Sequence, residues 1–267
     1  MRDKARIAVV VPAKNEELHL GVVLSSMPEW VDEVIVVDDG SSDRTRDIAD
    51  ASERCTCLLA NVRSRGVGAA IAWGYDVALE RGADVVAVMA GDDQMRPDEL
   101  ARVVGPVVRG EVDYAKGNRL AHPRAKETMP SARRMGTRIL GHMTGWVSGI
   151  STRDAQCGYT AISGDMLRKL PLETLYPRYG YPNDLLVMLG LAGARVEEPM
   201  VSPVYEGQAS GLKVRRALFT HAWVLARAIW LKRRRRRLID RRGRSLDGEK
   251  GQDGRETDEL SRLRDVG

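Results

Sequence analysis

The chain alternates short, wholly apolar runs with longer stretches in which apolar residues recur every three or four positions. The apolar runs predict strands at Ile7–Val11, Glu33–Val37, Thr56–Leu59, Val85–Met89 and Val112–Ala115. The longer periodicity predicts helices over Glu16–Met27, Thr45–Ala51, Gly66–Glu80 and Pro97–Val108. The last of these opens with Pro at an early position, where its missing N–H removes no hydrogen bond. Strands that are apolar on both faces and separated by helices predict an α/β fold: a mostly parallel central sheet with helices on both faces. The second half is less regular. It predicts a helix from Ser131 to about Val147, a short strand within DAQCGYTAIS, a helix over Asn183–Leu191 and a strand around Arg195–Met200. Gly211–Leu231 then reads as a long mixed helix.

In parallel sheets ligands bind beyond the carboxyl ends of the strands. Three charged clusters fall there: PAKNEE after the first predicted strand, DDGSSD after the second and GDDQ after the fourth. Their convergence on one edge makes that edge the candidate site.

Charge narrows the partners. Residues 232–267 hold 13 Lys or Arg against 8 Asp or Glu, whereas residues 1–231 hold 29 of each. The net charge of +5 therefore belongs to the tail, and the pI does not argue for a nucleic-acid-binding domain. The three cysteines, Cys55, Cys57 and Cys157, form neither a disulfide framework nor a zinc spacing, which points to a reducing compartment. The four histidines are scattered without a metal-ligand pattern, and the charged lead into a short strand does not read as a signal peptide.

In VVDDGSSDRT, Ser42 or Asp43 suits a turn and helix cap. Asp38 and Asp39 are not needed for that, and a carboxylate there can accept hydrogen bonds from a nucleobase or ribose. RGVGAA (Arg65–Ala70) lacks a third glycine and follows the third strand, so it is a weak dinucleotide signal and a better one for close backbone approach to a ligand. At GDDQ the chemistry suggests a divalent cation. Mg²⁺ uses few carboxylates, keeps waters and takes further ligands from substrate phosphates. Asp92 and Gln94 alternate, so a strand continuing that far would point both the same way, with Asp93 facing elsewhere.

Together VVVPAKNEE, VVDDGSSDRT, NVRSRGVGAAIAWGYDVAL, VVAVMAGDDQMRPDEL, KGNRL, DAQCGYTAIS, NDLLVMLGLAGARVEEPM and YEGQASGLK resemble the family 2 glycosyltransferases, particularly the dolichyl- and polyprenyl-phosphate sugar synthases. The likeness spans about residues 6 to 214 and implies the GT-A nucleotide-diphospho-sugar transferase fold over 1–210. It implies donor contacts at Pro12, Asn15, Glu16, Asp39, Arg65 and Asp92, with Mg²⁺ or Mn²⁺ on Asp92 and Gln94. The family often writes this site D-x-D-x-Q, and Ala90 stands at its first Asp. The donor would be a GDP- or UDP-linked sugar. A hydroxyl acceptor would need a carboxylate base, for which Asp184 and Asp154 are candidates. A polyprenyl phosphate is already anionic and needs cations instead, with Arg119, Arg133 and Arg134 as candidates and Gln156 beside them.

The tail bears on the acceptor. Residues 211–237 combine Trp, Phe, Leu and Ile with the six-residue cationic run Lys232–Arg237, a pattern that suits a helix lying in a membrane interface better than one spanning it. Each Lys or Arg near an anionic surface contributes about 1 kcal/mol. Residues 238–267 are expected to be a disordered polar tail. The resemblance implies an inverting glycosyltransferase, and with the tail it is expected to be cytoplasmic and peripheral at the inner membrane face. The alternatives are a glycosyltransferase with a hydroxyl acceptor, or a nucleotide-sugar-binding membrane protein without turnover.

Overall fold

The computed structural model of the protein describes residues 4–204 and position 226. The sequence expectations over 211–237 and 238–267 fall outside the described residues.

Among the described residues seven strands form one sheet: β1 (Ile7–Ala13), β2 (Glu33–Asp38), β3 (Cys57–Ala60), β4 (Val85–Val88), β5 (Tyr114–Lys116), β6 (Thr160–Ser163) and β7 (Val196–Glu197). The order is β3-β2-β1-β4-β6-β5-β7. β1, β2, β3 and β4 run parallel, as do β5 and β7, while β6 runs antiparallel between β4 and β5. The mostly parallel sheet is as expected. The reversed β6 was not legible, because a four-residue run such as TAIS carries no direction.

The helices are α1 (Leu20–Ser25), α2 (Thr45–Asp50), α3 (Val67–Glu80), α4 (Leu100–Val108), α5 (Ala125–Thr128), α6 (Ser131–Ser148), α7 (Gly164–Leu167) and α8 (Tyr181–Ala192). A single 3₁₀ turn at Pro97–Glu99 leads into α4. β1 alternates its core contacts. Ala8 and Val10 join the cluster that holds α3 and α8 residues, whereas Val9 and Val11 join the one that holds α1 and α4 residues. Every residue of β1, β2 and β4 is buried, which accounts for runs without polar alternation.

Several expected elements shorten. The first helix begins at Leu20 because Glu16–His19 form a turn, with the Glu16 carbonyl accepting from both His19 and Leu20 N–H. The fourth strand ends at Val88. The last strand keeps only Val196–Glu197, plus an isolated bridge from Asn118 to Met200. Among the described residues no helix is long and apolar enough to cross a membrane.

Candidate active site

β1 lies between β2 and β4, so the residues leaving it touch both acidic turns. The Asp39 N–H donates to the Ala13 carbonyl at 2.9 Å, and the Gly91 N–H donates to the Pro12 carbonyl at 3.2 Å. The turns carrying Asp39 and Asp92 therefore flank consecutive residues of one strand. They stand two strand spacings apart, about 10 Å. Pro12 itself is buried within β1.

The segment after β1 is stitched to the segment after β2. Asn15 sits at φ 56°, a left-handed conformation that Asn adopts more readily than most residues. Its Oδ1 accepts from Ser42 N–H at 2.9 Å and its N–H donates to Ser41 Oγ at 2.9 Å. Glu16 N–H donates to Thr45 Oγ1 at 2.7 Å. Asp43 accepts from Thr45 N–H at 3.0 Å and from Glu17 N–H at 3.2 Å, so it ties both loops to the start of α2. Asp38 closes its own turn by accepting from Ser41 N–H at 3.0 Å.

Asp39 has a different task. Its oxygens accept from Asn61 Nδ2 (3.1 Å), Ser64 Oγ (2.6 Å), Arg65 N–H (2.7 Å) and Gly66 N–H (2.8 Å). Four donors match the acceptor capacity of a carboxylate. Burial alone would raise its pKa, but these hydrogen bonds outweigh burial and hold it below the usual value. Asp39 thus folds the 61–66 loop over the end of β2, and its carboxylate is committed to that loop. Gly40 permits the close approach: it sits at φ 72°, and a Cβ there would lie 2.8 Å from Ser64 N. Arg65 is anchored by its backbone while its side chain is exposed.

The alternation argument for Asp92 and Gln94 fails, because the strand has ended. Residues 91–93 form a turn in which Asp92 Oδ1 accepts from Gln94 N–H at 3.1 Å and Asp93 adopts φ 57°. The three side chains are half-buried. Burial raises the Asp92 pKa and the Asp93 charge adds to it, against opposing help from the Gln94 N–H and His19. Burial likewise raises Glu16, followed by repulsion from Asp92, while His19 again lowers it. Glu16, His19 and Asp92 therefore form one electrostatic cluster. The sequence reading missed His19, although its place three residues after Glu16, within one turn, was a usable signal. Among the described residues no three His, Cys, Asp or Glu side chains are grouped to hold a metal ion unaided. Two partly desolvated carboxylates, both held above their ordinary pKa first by burial, do fit a cation whose remaining ligands come from phosphate and water.

The close backbone approach that RGVGAA makes is to protein. A Cβ at Gly68 would lie 2.1 Å from the Tyr176 carbonyl oxygen. The Gly68 and Ala69 N–H groups both donate to the Pro177 carbonyl, at 2.9 and 3.1 Å. Asp184, fully buried on α8, fixes the same segment by accepting from Tyr176 N–H at 2.8 Å.

Two residues with expected roles, Arg119 of KGNRL and Asp154, are paired with each other. Asp154 is fully buried and accepts from the Arg119 N–H (3.1 Å), Nε (2.8 Å) and Nη2 (2.9 Å). Burial pushes its pKa up, but the Arg119 charge and bonds hold it below the ordinary value. A buried carboxylate held ionised by a guanidinium is a poor proton acceptor, which speaks against Asp154 as the expected base. Arg119 commits its Nε–Nη2 edge to Asp154 and cannot present that edge to an acceptor phosphate. Lys116, also fully buried, donates to the Asp154 carbonyl. Gln156 Nε2 donates to Asn183 Oδ1 at 3.1 Å, beside Thr144 Oγ1 of α6, which donates to the same oxygen at 3.3 Å. Arg134 donates to the Lys126 and Met129 carbonyls at 2.9 and 2.6 Å, whereas Arg133 is exposed on the first turn of α6.

The family model "Glycosyl transferase family 2" matches residues 8–170. The chain belongs to this family. It is a glycosyltransferase with the GT-A fold. Among curated relatives, the UDP-N-acetylglucosamine–dolichyl-phosphate N-acetylglucosaminyltransferase of Methanococcus voltae is 27% identical over 77% of this chain and 88% of its own length. The undecaprenyl-phosphate mannosyltransferase of Micrococcus luteus is 29% identical over 72% of this chain and 81% of its own. The polyprenol monophosphomannose synthase of Mycolicibacterium smegmatis is 28% identical over 82% and 86%. Among solved structures, glucosyl-3-phosphoglycerate synthase from Mycobacterium tuberculosis, in complex with Mn²⁺, UDP-glucose and phosphoglyceric acid, superposes with a TM-score of 0.62 at 24% identity. That likeness covers 83% of this chain and 80% of that one, and it establishes the fold.

Proposed function

We propose that this glycosyltransferase moves a sugar, with inversion, from a nucleoside diphosphate donor to a polyprenyl phosphate at the cytoplasmic face of the membrane. The observation that carries the choice of acceptor is the state of the candidate bases. A hydroxyl nucleophile must lose a proton in the transition state, yet Asp154 is paired with Arg119 inside the protein, and Asp184 is fully buried and accepts from a backbone N–H. A lipid phosphate oxygen needs no such base. The named activities of the three curated relatives agree with this choice.

The chemistry follows from the rim. The 61–66 loop, held by Asp39, forms one wall for the nucleoside, with Arg65 on it. Glu16, Asp92 and Gln94 face the diphosphate end, where they would hold a divalent cation. When bound, such a cation neutralises the leaving diphosphate. The acceptor phosphate oxygen attacks the anomeric carbon as the bond from that carbon to the diphosphate oxygen breaks, and the nucleoside diphosphate leaves. Arg133, at the start of α6, is the cation best exposed to orient the incoming phosphate, with Arg134 beside it. The basic segment 211–237 would add membrane attachment.

The test is transfer of labelled sugar from a panel of UDP- and GDP-linked donors to polyprenyl phosphate. An organic-extractable, mild-acid-labile product is expected. A water-soluble product alone would refute the lipid acceptor.

A further inference from the structure

Tyr181 is the first residue of α8 and only 7% exposed, with its ring in the core cluster of Ala70, Ile71, Leu185 and Leu186. Its hydroxyl runs on toward the rim. A Cβ at Gly158 would lie 3.1 Å from Tyr181 Oη and 3.1 Å from Met95 Cε. Met95 Sδ in turn accepts from Ala90 N–H at 3.3 Å. The phenol tip, Met95 and Ala90 therefore meet where the turn that carries Asp92 and Gln94 passes the 154–158 loop. The sheet register agrees. The last pair of the β4–β6 ladder is Val88 with Thr160, and two residues beyond it stand Ala90 and Gly158.

The hydroxyl is fixed in place from two sides. The ring is held by the core, and the first turn of α8 is tied to the 154–158 loop through Asn183, whose Oδ1 accepts from Gln156 Nε2 at 3.1 Å. Burial above all, then Tyr75, Cys157 and Asp92, raises the pKa of the phenol, so it keeps its proton and can donate. Among the described residues no hydrogen bond reaches this hydroxyl. A polar group with so little water and no protein partner calls for a reason. Gly158 keeps the space before it open, because a side chain there would crowd the hydroxyl.

We propose that Tyr181 is a further residue of the transfer site, its hydroxyl donating a hydrogen bond to the donor diphosphate at the oxygen that leaves the anomeric carbon. The inference deepens the proposed function and rests on it for the identity of the ligand. As the acceptor phosphate oxygen bonds to the anomeric carbon, the electron pair of the breaking bond passes to that diphosphate oxygen. The Tyr181 hydroxyl keeps its proton and holds the oxygen by a hydrogen bond that strengthens as charge develops. A ring already fixed in the core needs no reorientation at that moment. A hydroxyl of the sugar is the competing partner. The diphosphate is favoured because the phenol tip stands at the Asp92 turn, which faces that end of the donor.

The experiment compares the full chain with its Tyr181→Phe variant, which keeps the ring and loses only the hydroxyl. Calorimetry follows binding of UDP, UMP, GDP and GMP in the presence of Mg²⁺, and kinetics uses the nucleotide sugar that the wild type turns over. The diphosphate that the wild type binds should bind the variant about tenfold more weakly, the scale of one hydrogen bond to a charged group. The matching monophosphate lacks the leaving oxygen and should bind both proteins alike. The variant's kcat should fall on the order of 100-fold with little change in donor KM, as for a bond made chiefly in the transition state. Its melting temperature should not fall. Four results would overturn the proposal. One is a variant with wild-type kcat and diphosphate affinity. A second is equal weakening of monophosphate and diphosphate, which would mean that the ring had moved the nucleoside wall. A third is a lower melting temperature, which would give the hydroxyl a partner inside the protein. The fourth is a loss of kcat at unchanged diphosphate affinity, which would place the hydroxyl on the sugar. Failure of the acceptor reading looks different: the variant discriminates diphosphate from monophosphate as expected, but the wild type does not glycosylate polyprenyl phosphate.

Discussion

Arg119 holds Asp154 on both carboxylate oxygens, with its N–H and Nε on one and its Nη2 on the other. A buried pair of this kind fixes the loop after β5 to the segment before β6. Removing one partner leaves an uncompensated buried charge, at a cost of about 3–5 kcal/mol. Asp154→Ala should therefore lower the urea midpoint strongly without changing the pH–rate profile of whatever folded enzyme remains. A shifted profile at unchanged stability would restore Asp154 as a base.

The same pair has a pH signature. The folded pKa of Asp154 lies below its unfolded value, so its contribution is fully present above the unfolded pKa and is lost as pH falls through the folded one. Wild-type stability should therefore decline below the ordinary carboxylate range. In Asp154→Asn that acid limb should flatten, as followed by denaturant midpoints across acidic pH.

Asp39 is predicted to organise the 61–66 loop more than to touch ligand. Asp39→Ala removes an acceptor shared by four donors and should cost about 3 kcal/mol, since bonds to a charged group contribute about 1.5–3 each and do not add. Hydrogen exchange should accelerate at the Arg65 and Gly66 amides in particular, and the KM for nucleotide sugar should rise. Unchanged exchange at those two amides would remove the loop-organising role.

Gly68 offers a steric test. A methyl group there meets the Tyr176 carbonyl oxygen, which is fixed backbone on the segment that Asp184 anchors. Gly68→Ala should destabilise by about 1–3 kcal/mol, the usual cost of overpacking. Within the same helix, Ala69→Gly should cost only about 1 kcal/mol through helix propensity. Equal effects would mean that the contact yields easily.

Much of this was legible in the chain because it follows from periodicity. Buried parallel strands print as unbroken apolar runs, and each run before a polar turn marks a strand end, so Pro12–Glu16, Asp39 and Asp92 were found together. What the sequence concealed was pairing. It shows Asp154 and Arg119 as a carboxylate and a cation 35 positions apart, which suit a base and a phosphate clamp as well as each other. It shows Gly66 and Gly68 as room for a ligand, when the room is filled by Tyr176 and Pro177.

The Asp92 turn gives the sharpest functional prediction. The raised pKa of Asp92 means that the protonated form persists to higher pH than in an ordinary carboxylate. A cation needs the ionised form, so the Mg²⁺ concentration for half-maximal activity should rise as pH falls, beginning above the usual carboxylate range. Chelation should abolish transfer. Asp92→Asn should reduce kcat on the order of 100-fold or more, the scale of losing one group that stabilises developing charge. Asp93→Asn should retain much of the activity, because Asp93 contributes chiefly a left-handed turn that Asn also adopts. Ala90→Asp restores the carboxylate that the family often carries two residues before Asp92, and it should lower the Mg²⁺ requirement. If Asp92→Asn and Asp93→Asn fail equally, or if Mg²⁺ dependence ignores pH, the cation does not rest on Asp92.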